Sequence, residues 1–193
     1  MEAVSVRRWL ALILLLSCTF GATAQTGDDM LAHGARDGDA PAWAIAVASP
    51  PAWTRDCCMY AKAIGVDAVL YQGEWTGKPE RVMVLNTWTR KLATLADEVA
   101  TDRKQYLQRD ARGKATDIRI DNPRMPCAGV LYQGGDRIDD VVVFCDPGQA
   151  SGIRFSWSMS FADGDAMQRA LLDAFMQVAT GARYERYVEP KKR

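Results

Sequence analysis

Ile153-Arg154-Phe155-Ser156-Trp157-Ser158-Met159-Ser160-Phe161 decides the fold, because large apolar side chains alternate without a break with arginine and serine. A period of two places Ile153, Phe155, Trp157, Met159 and Phe161 on one face of a strand and Arg154, Ser156, Ser158 and Ser160 on the other. Such a strand, read here over 152–161, covers a core with one face and carries small polar groups on the opposite one. Upstream, Asp139 to Phe144 and Ala128 to Gln133 read as two further strands joined around Gly134-Gly135-Asp136-Arg137, and Ala115 to Ile120 as another before them. Four strands in succession with short connections describe an antiparallel meander, not the regular β-α alternation of a parallel sheet.

Helices flank this meander. Downstream, Met167, Leu171, Ala174, Phe175 and Val178 form one helical stripe that Gly181 ends, with Asp165 expected to cap its start. Upstream, Leu92, Leu95, Val99 and Tyr106 lie near one stripe, which predicts a helix over 95–108 with Thr94 as its cap. Asp97 and Glu98 in its first turn and Arg103 and Lys104 towards its end suit the helix dipole. Further towards the N-terminus, Trp43 to Val47, Val66 to Tyr71 and Arg81 to Trp88 read as strands, and Arg55 to Ile64 as one or two helical turns ending at Gly65. The fold class expected is α+β: a mainly antiparallel sheet of six or seven strands packed with two long helices and one short one.

The polar, glycine-rich residues 25–40 read as a flexible leader, 41–185 as a single domain, and 186–193, which end in Lys191-Lys192-Arg193, as a basic tail. Before the leader, Arg7 and Arg8 precede the apolar run Trp9 to Leu16, and Ala22-Thr23-Ala24 supplies small residues ahead of Gln25. This is the pattern of a secretory signal over 1–24, too short to span a bilayer, and it predicts a soluble mature chain in the periplasm or outside the cell. Leu15-Leu16-Ser17-Cys18 offers a competing reading as a lipobox, in which Cys18 would carry a lipid anchor; plain cleavage is preferred because Leu16 fits that pattern poorly. A twin-arginine signal is weaker again, since Val6 stands directly before the arginine pair. No later segment resembles a transmembrane helix.

Cleavage after Ala24 takes Glu2, Arg7 and Arg8 from 24 acidic and 24 basic residues, leaving 23 and 22, a net charge of −1 over 169 residues. That balance argues against nucleic acid as a partner. Four cysteines remain, Cys57, Cys58, Cys127 and Cys145, and an even count in an oxidising compartment predicts two disulfides. A hairpin register centred on Asp136 places Cys127 opposite Cys145, which would leave Cys57 and Cys58 to bridge each other. The other connectivities send Cys57 and Cys58 each to one of the hairpin cysteines, and these are preferred because vicinal disulfides are rare. Zinc is disfavoured, as adjacent cysteines do not readily reach one ion together.

Pro51-Ala52-Trp53 followed by a short helix and a strand, the helix opened by Thr94-Leu95-Ala96-Asp97, the four-strand meander and the terminal helix after Asp163-Gly164-Asp165 together form a recognisable order of elements. Over roughly Trp43 to Ala182 this order resembles the PsbP-like, or Mog-type, α/β/α sandwiches, which include bacterial envelope proteins of the DcrB kind. The resemblance implies a non-catalytic accessory or binding protein and assigns no functional residue; the Cys57-Cys58 pair stands outside the pattern.

The search for chemistry is short. The single histidine, His33, falls in the expected leader, which leaves neither a serine nor a cysteine nucleophile a base. There is no G-x-S-x-G elbow, phosphate loop or dinucleotide-binding glycine cluster, so no cofactor is expected. Asp136, Asp139, Asp140 and Asp146 around the hairpin, and Asp163 and Asp165 about Gly164, lack the order of a calcium loop and read as solvated turn residues. They are the only groups on which the alternative function, a carboxylate-based hydrolase of envelope polymers, would rest. Trp75, in Gly73-Glu74-Trp75-Thr76-Gly77-Lys78-Pro79, lies among turn formers, and a large ring there is a candidate anchor with Glu74 and Lys78 beside it. Its competing place is against Pro79 or the adjacent sheet. Trp43, Trp53, Trp88 and Trp157 read as core. The function expected is therefore that of a non-enzymatic accessory protein, inhibitors and immunity proteins included, which binds another envelope protein or envelope component through loops on a rigid, disulfide-stabilised sheet.

Overall fold

The computed structural model describes residues 29–38, 40–76 and 81–188. The expected signal, Cys18, Lys78 and the terminal Lys191-Lys192-Arg193 lie outside the described residues. The chain forms an α+β domain built on two antiparallel sheets.

The central strand β9 (Ile153–Ala162) shows why the alternating stretch is decisive. It pairs with β5 (Arg81–Thr89) on one side and β8 (Ile138–Cys145) on the other. β8 continues to β7 (Cys127–Gln133) and β6 (Lys114–Ile118), and β5 to β4 (Ala68–Gln72) and β3 (Thr54–Asp56). Phe155 and Trp157 are fully buried, next to Leu85 of β5 and Val143 of β8 on the same face. Onto that face pack Leu171, Phe175, Val178 and Ala179 of the closing helix α3 (Gln168–Gly181).

A second sheet completes this core. It has the order β1-β2-β10, from β1 (Met30–Gly34), β2 (Trp43–Ala46) and β10 (Arg183–Arg186). Residues 30–34 are thus a strand where a leader was expected: Leu31 and Ala32 are buried and join the main core with Trp43, Ile45 and Val47. Pairing to β2 satisfies the backbone of a segment whose polar neighbours hide its short apolar centre. His33 is placed by this strand and stacks on Tyr187, with centroids 4.2 Å apart. At the other end, β10 extends the ordered domain through Arg186.

The opposite face of the large sheet carries α1 (Tyr60–Ala63) and α2 (Leu95–Arg109). α2 starts as expected at Thr94, where Thr94 and Asp97 exchange side-chain and backbone hydrogen bonds in a capping box. Its Tyr106 and Val99 pack with Val130, Tyr132 and Val142. α1 is shorter than the turns expected over 55–64, because Thr54–Asp56 pairs with β4 instead and Asp56 then accepts the amides of Cys58, Met59 and Ala61. Gly65, at φ +76°, supplies the left-handed residue after the helix. The α3 start also differs from expectation. Met167 occupies the cap position without a side-chain bond, while Asp165 accepts the Met167 amide at 2.8 Å and pairs with Arg81 at 2.7 Å.

The hairpin register centred on Asp136 holds, with Gln133 opposite Asp139 and Cys127 opposite Cys145. The latter two are joined, their Cα atoms 4.2 Å apart. Cys57 is bonded to Cys58, so the preferred bridges from this pair to the hairpin do not form. The physical reason is placement: Cys127 and Cys145 face each other across one ladder, whereas Cys57 and Cys58 follow β3 at the far edge of the same sheet.

Candidate functional site

The surface around α1 brings together the expected anchor and residues that sequence reasoning missed. After β4 the chain turns at Gly73, whose φ of +81° suits glycine, and exposes Glu74. The Trp75 ring is half-buried and lies nearly parallel to Tyr60, with centroids 6.1 Å apart and planes 23° apart. Tyr60 in turn meets Tyr71 edge-on at 5.6 Å. Both rings rest on a small cluster of Ala61, Val69, Tyr71, Val82 and Val84. Trp75 is thus a partly covered platform supported by α1 and by the adjacent sheet, so its competing place is realised in part. Burial raises the Tyr60 phenol above its ordinary value.

Apolar groups remain open beside this stack. Met59 is 62% and Ile64 46% exposed, and the Cys57-Cys58 disulfide is exposed next to Met59. Tyr60 and Ile64 also wall a cavity of about 330 Å³ whose floor is formed by Val82 and Val84 of β5 and Ser158 and Ser160 of β9. The small polar side of β9 is therefore uncovered between α1 and α2. Exposed large apolar side chains gathered on one element mark an interaction surface more readily than scattered ones do. Sequence periodicity could not find Met59, Tyr60 and Ile64, since a single-turn helix has too few residues to show a stripe.

The carboxylates have other occupations. Asp136 accepts the Ile138 amide at 3.0 Å, which shapes the hairpin turn, and Asp140 bonds the Ser160 hydroxyl. Asp146 pairs with Arg90 and, at 3.0 Å, with Arg154, and accepts the Gly148 amide at 2.8 Å. Burial alone would raise the Asp146 pKa; the Gly148 amide, Arg154 and Arg90 outweigh it and bring the carboxyl below its usual range. Asp139 is 2% exposed, and its Oδ2 has no hydrogen-bond partner. Burial, and then the nearby Asp163 charge, pushes its pKa up. Among the described residues no three His, Cys, Asp or Glu side chains are gathered to hold a metal ion.

Arg154 is the least expected feature of the polar face. Its side chain is wholly inaccessible and bonds Glu98 at 2.8 Å, Asp146 at 3.0 Å, and the carbonyls of Leu92 and Ala93 at 3.0 and 3.1 Å. Glu98 also accepts the Trp88 indole N–H at 3.3 Å. This cluster locks the start of α2 to β9 and β5. Trp157, Trp43 and Trp53 are buried as expected, whereas Trp88 is only half-covered and meets Phe144 edge-on at 6.2 Å.

No protein-family model matches the chain, and no curated protein does. Similar solved structures include the solution structure of cyanobacterial PsbP (CyanoP) from Synechocystis, 14% identical, with 85% of this chain and 98% of that chain covered and a TM-score of 0.47. Another is the crystal structure of LpqN, involved in cell envelope biogenesis of Mycobacterium tuberculosis, 12% identical over 76% of this chain and 86% of that chain, also at a TM-score of 0.47. Among the described residues no helix is long and apolar enough to cross a membrane.

Proposed function

We propose that this chain is a secreted or periplasmic accessory protein that performs no catalysis and binds an envelope protein through the surface of α1. The observation that carries this reading is the Trp75-Tyr60 stack, half-buried and bordered by exposed Met59, Ile64 and the Cys57-Cys58 disulfide. Aromatic anchors that sit partly supported on a rigid sheet lose little conformational entropy on binding, which is why they dominate interface energetics. The partner presents apolar side chains to this surface, and inhibitory or immunity-type pairing is one form of such a contact. The arginine and amide bonds at Asp146 and Asp165 and the capping role of Asp56 support a structural use of the acidic groups over a hydrolytic one.

The test is site-specific photo-crosslinking from position 59 in cells that express the full chain, with position 169 on α3 as a control. A discrete adduct from position 59 that is absent at 169, and that Trp75→Ala reduces at least about thirtyfold, is the expected result, since a central aromatic anchor contributes about 2 kcal/mol or more. Equal adducts from both positions, or a position-59 adduct indifferent to Trp75→Ala in a still-folded protein, would exclude the α1 surface.

A further inference from the structure

A cavity of about 530 Å³ opens where β10 leaves the small sheet, and its walls are charged as well as apolar. It is lined by Arg36, Pro41, Pro147, Tyr184, Arg186 and Tyr187, with the buried Ser151 at its base. The period of the strand explains the placement. Arg183 and Glu185 share one side of β10, where Arg183 donates to Glu185 at 2.8 Å. Tyr184 and Arg186 share the other, opposite Ile45 and Trp43 of β2, and Tyr184 packs against the main core. Arg186 therefore ends that side of the strand at its exposed rim, beside the cavity.

Arg81, Arg90, Arg103, Arg154 and Arg183, the partly or wholly covered arginines among the described residues, all pair with aspartate or glutamate. Among the described residues neither Arg186 nor Arg36 has a carboxylate partner, and Arg36 donates only to the Gly38 carbonyl at 3.4 Å. Among the described residues no acidic side chain lines the cavity. The wall opposite is preset: His33 stacks on Tyr187 at 4.2 Å with planes 10° apart, and the Tyr187 amide donates to the Ala42 carbonyl at 3.1 Å. Two guanidinium groups, two phenols and two proline rings in one concavity form a set of donors and flat apolar surfaces for an anion with a ring-sized body. The size falls within the ordinary range for small-ligand sites, roughly 300 to 1,000 Å³.

We propose that this cavity binds a phosphate monoester, with the phosphoryl group held by Arg36 and Arg186 and its organic body against Tyr184 and Tyr187. The site is separate from the α1 surface, so its fate does not depend on that reading. The phosphoryl group can come from a soluble compound or from a lipid headgroup, and two probes separate them. Phenyl phosphate is titrated into the protein purified from cells expressing the full chain, with amide signals of Ala42, Ser151 and Tyr187 followed by NMR against sodium chloride at matched ionic strength. Phosphatidylcholine vesicles with and without phosphatidic acid are tested by co-sedimentation. Saturable shifts at these three amides, weakened about tenfold or more by Arg36→Gln and by Arg186→Gln but unaffected by Arg169→Gln, identify a soluble ligand class. Sedimentation that requires phosphatidic acid and both arginines identifies the lipid source. Both target arginines are solvent-exposed, so an unchanged melting temperature is expected for each variant. No saturable response to either probe, or responses that both variants retain, overturns the assignment.

Discussion

Replacing Arg154 with leucine keeps an apolar stem on β9 and deletes the guanidinium that ties the sheet to the start of α2. Four partners lose their donor: Asp146, Glu98 and the Leu92 and Ala93 carbonyls. Asp146 retains Arg90 and the Gly148 amide, whereas Glu98 is left with the Trp88 N–H at 3.3 Å, so Glu98 is the group stranded. Removing one side of a buried ion pair costs about 3 to 5 kcal/mol, a large part of the roughly 5 to 15 kcal/mol by which a domain is folded. At a urea slope of about 2 kcal/mol per M the midpoint should fall by about 1.5 to 2.5 M, with the slope unchanged. Adding Glu98→Gln to Arg154→Leu should recover about 1 kcal/mol or more, because the stranded charge is then gone. The acid limb supplies a second readout. The Asp146 pKa is depressed in the folded state, so its stabilisation is present above the unfolded value and is lost as pH falls through the folded one; without Arg154 that acid loss becomes shallower. A midpoint shift below about 0.5 M at neutral pH would mean that the cluster is solvated and that the polar face of β9 is not locked to α2.

Asp139→Asn should raise the melting temperature at pH about 7.5 and leave it nearly unchanged near pH 4. The Asp139 pKa is raised in the folded state, so its contribution is favourable below the unfolded value and lost as pH rises through the folded one. Thermal scans across that range check it. Cys127→Ser with Cys145→Ser should cost about 3 kcal/mol, since that bridge closes a loop of 18 residues, whereas Cys58→Ser should cost less than about 1 kcal/mol because adjacent residues enclose no loop. Paired urea curves decide this, and equal losses would contradict the connectivity. Intact mass of the protein recovered from cells expressing the full chain should begin at Gln25, and a lipidated Cys18 would refute the cleavage expected after Ala24.

How legible each part of this protein is from sequence depends on whether its cause is local. The alternation in 153–161 locates the central strand because a period of two shows directly over nine residues, and the Asp136-centred hairpin follows because turn length fixes register. Thr94 and Asp97 announce α2 because the capping box is a contact between neighbours in sequence. β3 and β10 have three and four residues, too few to display a period, and exist because β4 and β2 offer them unpaired edges. The second face of β9 reads as small and polar, yet Arg154 on it is buried, since alternation reports polarity and not what another helix lays over it. Trp75 falls between these cases. Glycines around it mark a turn, which is local, but its stacking partner Tyr60 arrives from α1, whose start is set by three amides bonded to Asp56. A surface assembled in this way joins a turn on one strand to a single helical turn on a neighbouring segment. A change at Asp56 should therefore disturb the Trp75 platform without touching the tryptophan itself.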